Sequence, residues 1–169
     1  MSELSSALYN KAVRRNDKYK DVVNLLVFGS LDGKSGGNKS FDNIKDLIIF
    51  AAMIGMHYQK EEEVDPKHST SIILGTFSGG GSSRGSRVGQ HDVIFMFGLL
   101  LEKDIGAIRD ENLARSIDYF EKYSNGGLSM IYDWLVSAAW NPLVLEQTLL
   151  DVVSSSESVG IKIHGGNPF

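Results

Sequence analysis

Apolar positions fall into blocks separated by polar and glycine-rich stretches, and the spacing inside the blocks predicts a mainly α fold. Tyr19, Val22, Val23, Leu26 and Val27 recur at three- and four-residue intervals, which places them on one face of a helix over 17–28. Residues 29–40, GSLDGKSGGNKS, read as a glycine/serine loop. Ser40 is placed to cap the next helix, with Asp42 favoured in its first turn by the helix dipole. That helix runs from about Phe41 to Met56, and apolar residues nearly encircle it, so it is expected at the centre of the domain.

The stretch 58–69 is charged and polar. Thr70–Phe77, TSIILGTF, is rich in β-branched residues and bounded by turn formers, the pattern of a strand. Residues 78–90, SGGGSSRGSRVGQ, are low in complexity and read as a loop. Helix returns at His91 and through Val93–Leu101. Another begins at Asp110 or Asn112 and ends near Ser124, with Leu113, Ile117, Phe120 and Tyr123 inward. Asn125, Gly126, Gly127 and Leu128 then read as a corner between helices. The glycines accept left-handed backbone there, and Leu128 packs back on the preceding helix. Leu128–Trp140 is the next helix, and Asn141-Pro142 starts a last one to about Val153. Val159–Ile163 alternates like a strand and is a candidate to pair with Thr70–Phe77. The expectation is a single helical domain over 1–169, with about five or six helices, a minor two-stranded β element, and flexible or extended termini at 1–16 and 154–169.

Composition narrows the chemistry. The formal charge of −4 argues against a chain coated in basic residues for nucleic acid, although it leaves room for a local basic patch. With no cysteine, thiolate catalysis, disulfides and cysteine zinc sites are excluded. No secretory signal is visible, and the longest apolar runs, Leu47–Met56 and Val93–Leu101, are far shorter than the ~20 residues of a membrane span. A cytoplasmic protein with no membrane partner is expected.

Few motifs carry chemistry. VVNLLVFGSLDGKS, residues 22–35, imitates a phosphate-binding loop, but Gly29 and Gly33 enclose three residues where that loop needs four. His57, His68, His91 and His164 have no metal-ligand spacing, and no nucleophile elbow is present. No catalytic residue, metal or cofactor is therefore assigned. The candidate DNA contacts are Arg14, Arg15 and Lys18 in the basic stretch 11–20, and Arg84 and Arg87 in the glycine/serine loop, because arginine and lysine can neutralise phosphates. Solvated basic side chains are the competing reading of both segments.

Four stretches carry a resemblance. IDYFEKYSNGGLSMIYDWL, residues 117–135, is similar to the aromatic helix, Tyr-small-Asn-Gly-Gly-Leu break and amphipathic helix of the bacterial DNA phosphorothioation-associated protein 4 family (Dnd system-associated protein 4). RRNDKYKDVVNLL at 14–26, FDNIKDLIIFAAMIGM at 41–56 and HDVIFMFGLLLEKDIGAIRDE at 91–111 agree with it in order and character. The resemblance implies an accessory protein of an anti-phage system that marks bacterial DNA with backbone sulfur. Its implied partners are the other subunits of the defence system, with DNA a further candidate, and it brings no catalytic residues to carry over. Two other readings stay open. One is a nucleotide-binding or nuclease subunit using Lys34, Arg84, Arg87, His91 and Asp92; the other is a structural protein that forms homo-oligomers.

Overall fold

The apolar spacing does produce helices, and the polar residues among them decide how the helices meet. A computed structural model describes residues 10–33, 37–78, 90–109 and 112–158. Strand β1 is Ala12–Asn16. Helix α1 follows directly in three contiguous pieces, Asp17–Tyr19, Lys20–Val23 and Asn24–Phe28, the last widened to a π-helical turn. It stops at Gly29, whose φ of +81° is left-handed backbone that only glycine adopts freely. The loop after it returns to its origin, because the Ser40 and Phe41 N–H groups both donate to the Leu26 carbonyl, at 2.8 and 2.9 Å.

Helix α2 is Ile44–His57. Its cap is Asn43 rather than Ser40: the Asn43 Oδ1 accepts from the Asp46 N–H at 3.0 Å. A polar segment leads to β2, Ser69–Ile73, and a 3-10 turn at Leu74–Ser78. Helix α3 is Gln90–Glu102, a second 3-10 turn is Ile105–Ile108, helix α4 is Leu113–Ser137, and helix α5 is Leu143–Ser158. The architecture is mainly α with a two-stranded antiparallel sheet, as the patterning predicts. No helix among the described residues is long and apolar enough to cross a membrane.

The strand expectation changes. The strand at 70–77 is shorter and pairs with β1, in the register Val13 with Ile72 and Arg15 with Thr70. Its expected partner, 159–163, lies outside the described residues. Residues 12–16, within the terminus expected to be flexible or extended, form the extended strand β1, with Val13 buried. The terminus expected from 154 onward is helical to Ser158.

The largest change concerns the longest helix. Residues 113–137 form one unbroken helix of 25 residues, so Asn125, Gly126, Gly127 and Leu128 are not a corner. Gly126 and Gly127 keep helical backbone and serve a different need. A Cβ on Gly127 would overlap the Ala51 carbonyl oxygen, one on Gly55 would overlap the Tyr123 carbonyl oxygen, and one on Gly126 would overlap the Lys60 carbonyl oxygen. The glycines let α2 and the segment after it lie backbone against backbone on α4. Leu128 is fully buried on the same helix.

That contact makes α4, not α2, the central element. Its face of Ile117, Phe120, Leu128, Ile131 and Leu135 meets Leu47, Ile48 and Ala51 of α2, together with Ile94 and Phe97 of α3, in one core. The Phe97 ring stands edge-on to Phe120 at 5.4 Å between centroids, a favourable aromatic geometry. Helix α2 is only partly enclosed, and its Met53 is exposed.

Candidate functional site

The candidate contacts Arg14, Arg15 and Lys18 lie on β1 and at the start of α1, and the structure pairs Arg14 and Lys18 with carboxylates while it buries Arg15. Glu121 of α4 is buried and faces β1. Its Oε1 accepts from the Arg14 backbone N–H at 2.7 Å and from the Arg14 Nε at 3.2 Å; its Oε2 accepts from the Arg14 terminal nitrogen at 3.0 Å. This hydrogen-bonded ion pair raises the Arg14 pKa further above its usual value.

One helical turn on, Asn125 is fully buried. Its Oδ1 accepts from the Asn16 N–H at 2.8 Å, while its Nδ2 donates to the carbonyls of Arg14 at 3.1 Å and Glu121 at 2.8 Å. Glu121 and Asn125 thus bind the backbone of β1 as a neighbouring strand would. The strand pairs with β2 on one edge and with two helix side chains on the other.

Arg15 points to the opposite face of the strand and is 7% exposed. One terminal nitrogen of its guanidinium is buried without a hydrogen-bond partner, and burial lowers its pKa, with Asp17 the one opposing charge. Arg15→Met keeps the apolar stem and removes the charge. Its stability by thermal melting is expected to be unchanged or raised by up to about 2 kcal/mol, because it relieves an unpaired buried charge. A loss of more than that would mean the guanidinium has a stabilising partner.

Lys18 is drawn to acid. Its Nζ lies 3.2 Å from Glu62 and 5.0 Å from the Tyr19 ring centre. Desolvation opposes its charge, but the bonds to Tyr19 and Glu62 outweigh that and raise its pKa. The Tyr19 hydroxyl donates to Glu62 at 2.5 Å, and burial followed by this bond raises the tyrosine pKa. Asn16 donates to Glu62 at 2.6 Å and accepts from the Asp65 N–H at 2.8 Å. Asn16, Lys18, Glu62 and Asp65 line an open cleft of about 440 Å3 with Glu63 and His68. Each carboxylate in it has a basic neighbour: Glu62 has Lys18 at 3.2 Å, Glu63 has Lys122 at 3.0 Å, and Asp65 has His68 at 2.8 Å.

The other candidates do not join this cluster. Arg84, Arg87 and Lys34 lie outside the described residues, as does the His91 side chain, and Asp92 is half-buried at the start of α3. Among the described residues no group of three His, Cys, Asp or Glu side chains is placed to hold a metal. A second cavity, of about 650 Å3, lies between the 38–41 loop, α2 and α5, with Phe41, Phe50, Leu145 and Leu149 along its walls. Elsewhere the surface is apolar on one face of α3. Met96, Leu99 and Leu100 are 51%, 37% and 55% exposed, and Ile105 just beyond is 76% exposed.

Sequence reasoning passed over Glu121, the residue most deeply tied to β1. The signal was present: Glu121 and Asn125 are a polar pair at i, i+4 beside the apolar face of Ile117, Phe120 and Leu128, where a polar residue needs a partner.

No curated protein and no solved structure matches the chain. A family model does, over residues 13–159, a span that holds β1, the glycine contact and the Glu121–Asn125 clamp together. By that match the chain belongs to the DNA sulphur modification system-associated protein 4 family.

Proposed function

We propose that this protein is a non-catalytic accessory subunit of a bacterial DNA sulphur modification defence system, and that it acts by binding another subunit through the exposed apolar face of α3. Family membership supplies the setting. The observation that carries the binding mode is the row Met96, Leu99 and Leu100, spaced three and four residues apart and open to solvent, with Ile105 continuing it. Contiguous exposed apolar side chains of this kind mark protein contact surfaces, since leaving them in water is costly.

The test is co-purification with the proteins of the native operon, comparing the wild type with Met96→Lys/Leu100→Lys. The variant is expected to fold normally, because both side chains already face water, and to lose the partner and phage protection together. Retention of the complex by a folded variant refutes the assignment.

A DNA contact, in this reading, falls to Arg84 and Arg87, since Arg14 and Lys18 are held by carboxylates and Arg15 is buried. Salt-dependent mobility shifts that Arg84→Ala/Arg87→Ala abolishes are the expected result. Metal-dependent DNA cleavage by the purified chain would instead establish the nuclease reading.

A further inference from the structure

The two edges of the small sheet are treated differently. Arg14 and Asn16 direct their backbone groups at α4, where Glu121 and Asn125 satisfy them. The flanking bonds Leu74 N–H to the Lys11 carbonyl and Asp17 N–H to the His68 carbonyl fix the alternation of the ladder. Arg14 opposite Ser71 and Asn16 opposite Ser69 are therefore the pairs whose backbone groups point away from the partner strand. On β2 the N–H and C=O groups of Ser69, Ser71 and Ile73 face outward. Among the described residues only the Ile73 carbonyl has a partner, the Thr76 hydroxyl at 2.7 Å. Nothing in β2 guards this edge: STSII has no charge and no proline. Ser71 is exposed, and Ile73 is half-exposed.

We propose that β2 pairs antiparallel with β2 of a second copy of this chain, about a two-fold axis at Ser71. The edge is its own complement. Ser71 exchanges both backbone hydrogen bonds with Ser71 of the second copy, Ser69 meets Ile73 of the second copy, and Thr70 lies across from Ile72 of the second copy. Because all five residues are uncharged, no like charges are brought together. The sealed edge at β1 limits the assembly to two: the resulting sheet, β1-β2-β2-β1, ends on both sides at strands already held by Glu121 and Asn125. An open edge that could also add a third chain would give a fibre instead. The surface lies on the sheet and is separate from the apolar face of α3, so dimerisation stands or falls independently of the partner proposed above.

Light scattering of the full chain across a concentration series tests this. The expected mass tends to twice the 18.6 kDa chain at high concentration. Ser71→Lys sets two like charges opposite each other and is expected to weaken the dimer roughly tenfold or more in Kd. Its own fold should be unchanged, since Ser71 is exposed and its backbone does not bond β1. The protein has no cysteine, so Ser71→Cys offers a single thiol, expected to form a cross-linked dimer on mild oxidation, whereas Ser154→Cys on α5 is not. A chain that stays at one mass at every concentration overturns the proposal, as does a Ser71→Lys variant that dimerises like wild type. Concentration-independent protection of the Ser69, Ser71 and Ile73 amides from hydrogen exchange also overturns it, because the edge would then be covered from within the chain.

Discussion

Gly127→Ala is expected to destabilise the protein by about 3 kcal/mol and to lower the thermal midpoint by about 6–12 °C. Helix propensity alone predicts the opposite sign, since Gly127 lies mid-helix and alanine is favoured there by about 1 kcal/mol. The close approach of α2 reverses it. The new methyl would occupy the position of the Ala51 carbonyl oxygen, which is backbone and cannot rotate aside. The two helices must then separate, and the contacts of Leu47, Ile48 and Ala51 with the α4 face loosen with them. Gly55→Ala meets the Tyr123 carbonyl from the other side and is expected to behave alike. Gly98→Ala is the useful contrast, because its methyl meets the Ser116 side chain, which can change rotamer. Urea melts of the three variants decide the matter: a Gly127→Ala protein as stable as wild type would mean that the helices do not touch through backbone.

The second large effect is expected at Asn125. Asn125→Leu preserves volume but leaves the Asn16 N–H and the Arg14 carbonyl of β1 buried without partners, at a cost of about 2–5 kcal/mol. Asn125→Asp separates hydrogen-bond direction from size. It keeps an acceptor for the Asn16 N–H but loses the donor, and it sets a buried negative charge against the Arg14 and Glu121 carbonyls. Both variants are expected to melt earlier and to exchange the Asn16 amide faster, because β1 is no longer held from the α4 side. An Asn125→Leu protein with wild-type stability and unchanged exchange at Asn16 would show that β2 alone holds the strand.

These two residues show where local reading stops. Asn125-Gly126-Gly127 has the composition of a helix end, and glycine is suited to left-handed turns. It is equally suited to letting another backbone approach, and the choice between them is made by Ala51 and Gly55, some seventy positions earlier in the chain. Gly29 has the same local character, and there the turn reading holds: its backbone is left-handed and α1 ends on it. Arg14, Arg15 and Lys18 look alike as a basic run, yet one is paired with Glu121, one is buried and one leans on Glu62. Strand alternation set Arg15 on the face opposite its neighbours, but that alternation applies only once 12–16 is known to be a strand.

By itself the sequence determined which blocks of the chain are helical, because the three- and four-residue spacing that builds them is local. It excluded thiol chemistry through the absence of cysteine, and it carried enough order and pattern to indicate the family. Tertiary structure alone decided that two expected helices are one, that the glycine pair is a contact, and that β1 pairs with β2. It also decided that Glu121 and Asn125 act as the missing neighbour of β1. The last three depend on groups more than forty residues apart meeting within hydrogen-bond or van der Waals distance, and no local spacing encodes which distant backbone will arrive.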